Sequence, residues 1–380
     1  MDNSSDYDIA TIGGGLNGMA AALAVAELGF RVVLIEPRSL KYELPTPFDP
    51  RSYAITQTSV EIFKKLGVWS RVDEQRNADI LRMEVWDGAS RGRLEFSPEP
   101  ILVPRFGVIT EHANLGRALQ QTISGHPKID IAPKTVSSIV PGEDKRDLVF
   151  DDNTRLSASL VICADGAWSS TRAMLGIEAE PFSYQQKALV CNVATADPHD
   201  HVARQVFHQQ GPLAFLPLAD PQQSAIVWTN SFETSAELMS LSDEELAKRI
   251  EQAFDRCLGD VRVISQRFDF PLHKMHTPRY DAERAVLVGD AAHVVHPLAG
   301  QGLNLGIMDA AVLAEVLAPL ASEPKLPAAQ LRRALRRYSR WRAHDNGLML
   351  HTTDILNKLF AHSAMPIRLL RGLGLNLTNK

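Results

Sequence analysis

Cysteine is scarce in this chain: Cys163, Cys191 and Cys257 are its only three in 380 residues, and they stand far apart. Such spacing excludes a disulfide framework, a Cys-x-x-Cys redox pair and a cysteine metal knuckle, so a reducing cytoplasm is the expected setting. A large excess of charge is missing too. Forty Lys and Arg against 45 Asp and Glu leave a net charge of −5, which argues against nucleic acid as the main partner. No run approaches the roughly eighteen apolar residues of a membrane span. The acidic, polar start Met-Asp-Asn-Ser-Ser-Asp-Tyr-Asp is unlike a secretory signal. The histidine pairs His293/His296 and His199/His201 have no third ligand at metal-site spacing. What remains is an ordinary globular composition, 45% hydrophobic and 22% charged, long enough for two cores or one elaborate one.

Glycine, by contrast, is concentrated where it matters. Ile9-Ala-Thr-Ile-Gly-Gly-Gly-Leu-Asn-Gly18 reads as a short strand running into Gly13-x-Gly15-x-x-Gly18. A small-residue helix follows over Met19–Leu28, then Gly29, then a strand Val32-Val-Leu-Ile ending at Glu36. Strand, glycines, helix, strand and terminal acid in that order are the requirement of a dinucleotide fold. Gly13 permits the tight turn, Gly15 admits a pyrophosphate to the helix N-terminus, and Gly18 lets helix and strand pack closely. Glu36 can accept both hydroxyls of an adenosine ribose and would repel a 2′-phosphate, so FAD or NAD fits and NADP does not. No second GxGxxG exists, and a nicotinamide donor must bind without its own unit.

A second glycine-rich stretch follows the apolar run Ala285-Val-Leu-Val-Gly, which reads as a buried strand. It spans Gly289 to Gly306 and precedes a helix pattern over Leu303–Leu317. Its four glycines and one proline let backbone approach a ligand. The helix opening near Leu303 offers unpaired N–H groups and partial positive charge. Asp290, at the strand end, is a candidate acceptor for hydroxyls of a sugar-like chain. A flat, reducible ring with a polyol tail satisfies these features, and flavin is the commonest such cofactor.

Gly289-Asp-Ala-Ala-His, then His296-Pro-Leu-Ala-Gly-Gln-Gly-Leu-Asn-Leu-Gly306 and Asp309, resembles the flavin-end motif of FAD-dependent aromatic hydroxylases, in their ubiquinone-biosynthesis polyprenylphenol hydroxylase branch. The resemblance implies an α/β, Rossmann-like FAD-binding domain like that of para-hydroxybenzoate hydroxylase, with an inserted antiparallel β-sheet substrate domain and a helical C-terminal tail. It implies flavin contacts at Gly302, Leu303 and Asn304. It also places Arg51, in Asp49-Pro-Arg51, on the flavin's pyrophosphate or ribityl region. Asn114 stands where many relatives carry Arg and the ubiquinone branch often has Asn. Asp165-Gly166 with downstream Ser169 and Arg172 resembles the motif that serves FAD and the transient nicotinamide; helix capping is the alternative for Asp165. The implied chemistry is class A monooxygenation: NAD(P)H reduces FAD, O2 adds at C4a, and the hydroperoxide hydroxylates an electron-rich ring. The Trp-x-Trp-x-Ile-Pro signature of flavin halogenases is absent. Hydroxylation of a small soluble phenol, or a non-catalytic flavoprotein scaffold of a biosynthetic complex, are the alternatives. No catalytic acid or base is identified.

From Pro181 to Phe270 the pattern changes to period two, with strand-like runs at Lys187–Val193, Arg204–His208, Leu213–Pro217 and Ser224–Thr229. A helix starts at Ser242 with Glu245 three residues on, a capping box. Gly211-Pro-Leu-Ala-Phe215-Leu-Pro217 resembles the family strand that roofs the flavin, which makes Phe215, Pro217 and Trp228 pocket candidates. His296 and Pro297 are candidates for the flavin edge or substrate. Expected boundaries are 1–180 for the FAD-binding domain with a small β excursion near 81–100, 181–275 for the substrate domain, 276–330 for the return to the FAD domain, and 331–380 for C-terminal helices. Arg332, Arg333, Arg336, Arg337, Arg340 and Arg342 make the tail basic, and Leu348–Leu359 and Ile367–Leu377 continue it. Membrane surface, protein partner, or a solvated face packed on the FAD domain all fit. The expected substrate is a prenylated phenol, and the expected location is cytoplasmic, peripheral to the inner membrane. A small phenolic acid would need a fixed cation, and the sheet region offers mainly Arg204 and Arg267.

Overall fold

The computed structural model describes residues 6–361, without 47, 90, 91, 297–299 and 324. Among them, the first strand, Asp6–Ile12, pairs in parallel with Val32–Ile35 on one side and Arg155–Cys163 on the other. Ile129–Ala132 and Ala285–Leu287 extend this parallel set outward, so segments nearly 280 residues apart in sequence share one sheet. All four residues of Val32–Ile35 are buried, as expected for a strand covered on both faces. Helix Leu16–Ala26 lies against the sheet with ten of its eleven residues buried. Its small side chains allow the approach. A Cβ on Gly18 would stand 1.9 Å from the Gly13 carbonyl oxygen, a contact that only glycine avoids.

The period-two region forms a nine-stranded sheet that is antiparallel except for one pair. The excursion near 81–100 belongs to it: Arg82–Asp87 pairs in parallel with Val202–His208, and Arg93–Phe96 pairs on its outer side. The chain thus enters the second sheet before residue 181, and it returns at His293–Val294, which pairs with Phe268–His276. One face of this sheet packs on helices Phe232–Ser240 and Asp243–Ala253, burying Leu189, Leu213, Phe215, Ile226 and Trp228 against Leu238, Leu246, Ile250 and Phe254. Ser242 and Glu245 form the expected capping box, with reciprocal bonds of 3.2 and 2.9 Å.

Helix Gly302–Leu317 runs beside Leu16–Ala26 and the C-terminal helix Ala328–Ala361. Contrary to the reading of the sequence, Gly302–Leu320 has the length and mean hydropathy, 1.6, of a membrane span. Its place between two other helices makes it a core helix. The junction is held by Asp309, fully buried. Asp309 accepts the Gly289 N–H at 3.0 Å, meets His293 Nε2 at 2.6 Å, and accepts Arg342 Nε at 2.6 Å and Asn346 Nδ2 at 3.2 Å. Arg342 therefore differs from the rest of the basic cluster. It is 2% exposed, whereas Arg332, Arg333, Arg336, Arg337 and Arg340 are on the surface. Burial works to raise the Asp309 carboxyl's pKa, but His293 and Arg342 outweigh it and hold the carboxyl below its ordinary value. Stability from this group is present above the usual carboxylate range and lost as pH falls through the lower folded value.

Arg342→Met should cost about 3–5 kcal/mol in urea unfolding, because it leaves a buried carboxylate short of its cation. Arg336→Met, on the exposed side of the same helix, should stay within about 0.5 kcal/mol. Equal effects of the two would show that the pair does not anchor the helix.

Candidate functional site

A continuous cavity of about 2260 Å³ runs from the glycine turn at residues 14–18 to the open face of the nine-stranded sheet. Gly13 holds φ +108° where a Cβ would collide with the Ala164 carbonyl oxygen at 2.3 Å, whereas a Cβ on Gly15 would meet nothing within 4 Å. Gly15 faces the cavity, so its missing side chain leaves a cradle at the start of a helix with no side-chain cap. Glu36, on the same wall, accepts the Gly14 N–H at 2.8 Å and Arg38 Nε at 3.0 Å. Its burial favours protonation, but the Gly14 and Arg38 bonds prevail and keep the carboxyl below its ordinary value. It is ionised and ready to accept hydroxyls.

The turn after strand Ala285–Leu287 puts Asp290 on the cavity wall. Asp290 is exposed, but exposed into the cavity, and it has no hydrogen-bond partner among the described residues. Its depth in the fold raises the carboxyl's pKa, an effect that His293 and His273 partly offset. Two further wall atoms, Asn17 Oδ1 and Ser52 Oγ, are buried without partners, an arrangement that proteins rarely leave unfilled. Gly302 and Leu303 open their helix onto the same space, and no side chain caps that helix start. Arg51 is on the wall, held by Asp49 through bonds of 3.1 and 2.9 Å. The Asp49 N–H is held in turn by Glu111, a buried carboxylate that also binds Arg76. Tyr53 stands nearby, its hydroxyl 3.3 Å from His112 Nδ1. Burial, with the charge of Asp290, pushes the phenol up to about 12.

The far wall is the sheet face turned away from helices Phe232–Ser240 and Asp243–Ala253. Strand register aligns Phe268, Val190, Val227, Ala214, Gln205, Val85 and Leu94 in one row across seven strands, and every member lines the cavity. At about 4.8 Å per strand the row extends roughly 29 Å. Six of the seven are apolar. Phe215 and Trp228 face the other way, into the helix-covered core, where Phe215 stacks on Phe254 at 3.7 Å. Pro217 shares their phase and is also absent from the wall, which its neighbour Leu216 lines. The expected pocket set was therefore one residue out of phase, and in a strand that exchanges the faces.

Other expected contacts also move. Asn114 is fully buried away from the cavity, pairing with the Asp73 backbone through two bonds of 3.0 Å. Asp165 accepts Ser169 Oγ, Thr171 Oγ1 and the Thr171 N–H, so it organises the turn before a helix while Ala164 and Gly166 form the wall. Asn304 accepts the Thr56 N–H and donates to the Ala54 carbonyl, tying strand Ser52–Thr56 to its helix. Each short polar side chain has met backbone groups that only the fold brings close. His296 is 1% exposed, off the wall and edge-on to Tyr184 at 4.8 Å; burial lowers its pKa to about 4, so the ring is neutral. Pro297 lies outside the described residues. Asn17 lies inside the glycine motif, Ser52 and Tyr53 directly follow Asp49-Pro-Arg51, and His112 opens helix His112–Ser124; no spacing in the sequence marks these four as site residues.

The residues present fit FAD. The Gly15 cradle, the Glu36 carboxylate, the partnerless Asp290 and the uncapped helix start at Gly302 line one space, and they match in turn the pyrophosphate, adenosine ribose, ribityl chain and ring of the cofactor. Residues 6–329 match the family model described as FAD binding domain. The chain is 35% identical to the 3-demethoxyubiquinol 3-hydroxylase of Escherichia coli (strain K12), over 97% of this chain and 93% of that protein. It is 33% identical to ubiquinone hydroxylase UbiL of Rhodospirillum rubrum, over 98% of this chain and 86% of that one. The structure of PqsL from Pseudomonas aeruginosa in complex with 2-aminobenzoylacetate superposes with a TM-score of 0.81 at 23% identity, covering 98% of this chain and 100% of that one.

Asp290→Ala should weaken FAD binding roughly ten- to hundredfold, since a hydrogen bond to a charged group contributes about 1.5–3 kcal/mol. A hydroxyl donor favours the ionised carboxyl, so wild-type affinity should climb as pH rises from about 4 through the raised pKa and then level off. Titrating flavin fluorescence against apoprotein checks both, and a flat profile with unchanged affinity would give Asp290 a structural part only. Gly15→Val should fold normally, having open space for its side chain, yet retain little FAD on gel filtration.

Proposed function

This chain belongs to the family of FAD-dependent aromatic hydroxylases, and on that premise we propose that it hydroxylates the ring of a polyprenylated phenol in ubiquinone biosynthesis, with NAD(P)H and O2 as co-substrates. FAD supplies the redox chemistry and the activation of oxygen. The chain's own residues hold and screen the reactants. Gly15 and Glu36 would hold the adenosine half, Asp290 and Arg51 the ribityl and pyrophosphate region, and the helix start at Gly302 and Leu303 would favour negative charge at the ring. With no second GxGxxG in the chain, the nicotinamide donor would bind only transiently.

The observation that carries this reading is the seven-strand row. A phenolic head needs a small pocket; a groove of roughly 29 Å lined by Phe268, Val190, Val227, Ala214, Val85 and Leu94 matches a prenyl tail. Each buried methylene contributes about 0.8 kcal/mol, so a few isoprene units would dominate binding. The cations of the sheet beside that row are already engaged. Arg204 bonds Glu84 and the His199 carbonyl, Arg267 bonds Asp243 and the carbonyls of Leu238 and Leu241, and Lys187 bonds Asp269. A prenylated substrate also supports a cytoplasmic location peripheral to the inner membrane.

NAD(P)H oxidation should be strongly stimulated by a short-chain prenylphenol and weakly by 4-hydroxybenzoate. Val227→Glu, which puts a charge into the row, should raise KM for the prenylphenol at least tenfold while FAD remains bound. Tightly coupled turnover of 4-hydroxybenzoate, with product matching NAD(P)H consumed, would overturn the prenylphenol reading and leave the hydroxylase class intact.

A further inference from the structure

The C-terminal helix Ala328–Ala361 carries different chemistry on its two faces. The inner face buries Leu335, Tyr338, Arg342, Asn346 and Leu350, and at Thr353 it reaches the cavity wall. On the outer face Trp341, Leu348 and Ile355 are exposed, the last two at 64% and 63%. They stand seven residues apart and therefore drift only about 20° from one to the next, forming a stripe along the axis. Arg333, Arg337 and Arg340 are exposed on the same half of the helix. The Arg337 guanidinium lies 4.0 Å over the Trp341 ring and 3.8 Å from the exposed Glu315 carboxylate of the neighbouring helix, while Arg333 and Arg340 have no ion pair among the described residues.

Acid is nearly missing from this helix. Its two aspartates are both engaged, Asp345 with Arg342 at 3.2 Å and the buried Asp354 with Lys274 at 2.9 Å. A solvated helix face intersperses both signs of charge and few large apolar groups. A straight apolar stripe flanked by arginines, two of them without an acidic partner among the described residues, is what a helix lying in a lipid headgroup layer presents, with side chains able to reach out to phosphates.

We infer that this outer face docks on an anionic phospholipid bilayer with the helix axis in the membrane plane. The inner face of the same helix meets the cavity at Thr353, so docking brings the cavity to within one helix of the lipid. The docking stands on the helix's own surface chemistry; its use in drawing substrate from the membrane rests on the prenylphenol reading.

The test sediments the FAD-loaded protein with vesicles of phosphatidylglycerol and phosphatidylethanolamine, and separately with phosphatidylcholine vesicles. Partitioning should favour the anionic vesicles by roughly tenfold or more near 0.1 M salt and fall severalfold near 0.5 M. Leu348→Gln/Ile355→Gln and Arg333→Gln/Arg340→Gln should each lower it roughly tenfold, while turnover of a soluble short-chain prenylphenol stays at the wild-type rate. Binding to neither vesicle, the outcome expected if the face takes a protein, overturns the inference. So does equal binding to both vesicle types, or unchanged binding by the double variants. If vesicle binding behaves as expected but the prenylphenol is not turned over, docking stands and the substrate reading fails.

Discussion

The structure turns on one buried carboxylate. Asp309 takes bonds from a backbone N–H of the turn that carries Asp290, from His293 on the short strand of the second sheet, and from Arg342 and Asn346 of the C-terminal helix. Isolated, a charge at that depth would cost several kcal/mol; surrounded by four donors, it ties the turn and short strand of residues 289–294 to its own helix and to the C-terminal helix. Gly289 sits there at φ +63°, and a Cβ would meet Asn17 Nδ2 at 2.6 Å, so turn, first helix and carboxylate constrain one another. Where Asp290 points follows from that arrangement.

The same logic explains why the cavity crosses the boundary between two sheets. The chain passes from one to the other at residues 82–96, again after 182, and once more at 293–294. Each passage brings a wall of the cavity with it. The dinucleotide end is lined by residues close together in sequence, while the far wall is assembled from strands spread over nearly two hundred residues. A ligand that fills both ends therefore touches most of the chain's length.

That difference is also the limit of what the sequence reveals. Gly13, Gly15, Gly18 and Glu36 act within one strand-helix-strand unit, and Asp290, Gly302 and Leu303 within one turn, so local spacing is enough to find them. The strand face is another matter. Period two says that Leu213 and Phe215 point one way and Ala214 and Leu216 the other, but both sets are apolar, and only the placement of helices Phe232–Ser240 and Asp243–Ala253 decides which is core. The larger side chains, Phe215 and Trp228, fill the core, and the smaller Ala214 and Val227 line the cavity. Asn114, Asp165 and Asn304 fail for a related reason: a short polar side chain in a motif is as useful for holding backbone as for holding ligand. Arg342 shares the spacing of the buried Leu335, Tyr338, Asn346 and Leu350, but its charge and its place in a run of arginines make it look like one of the exposed set.

The two faces of the second sheet divide inheritance as well as labour. Leu189, Leu213, Phe215 and Trp228 are locked into a packed interior, where a change of volume is felt throughout. Val190, Ala214, Leu216 and Val227, alternating with them along the same strands, border space. A lineage can enlarge, shorten or reshape the groove by single substitutions on that side without disturbing the packing on the other. Descendants of such a scaffold can drift in ring and tail preference while the flavin machinery, and the fold beneath it, stays unchanged.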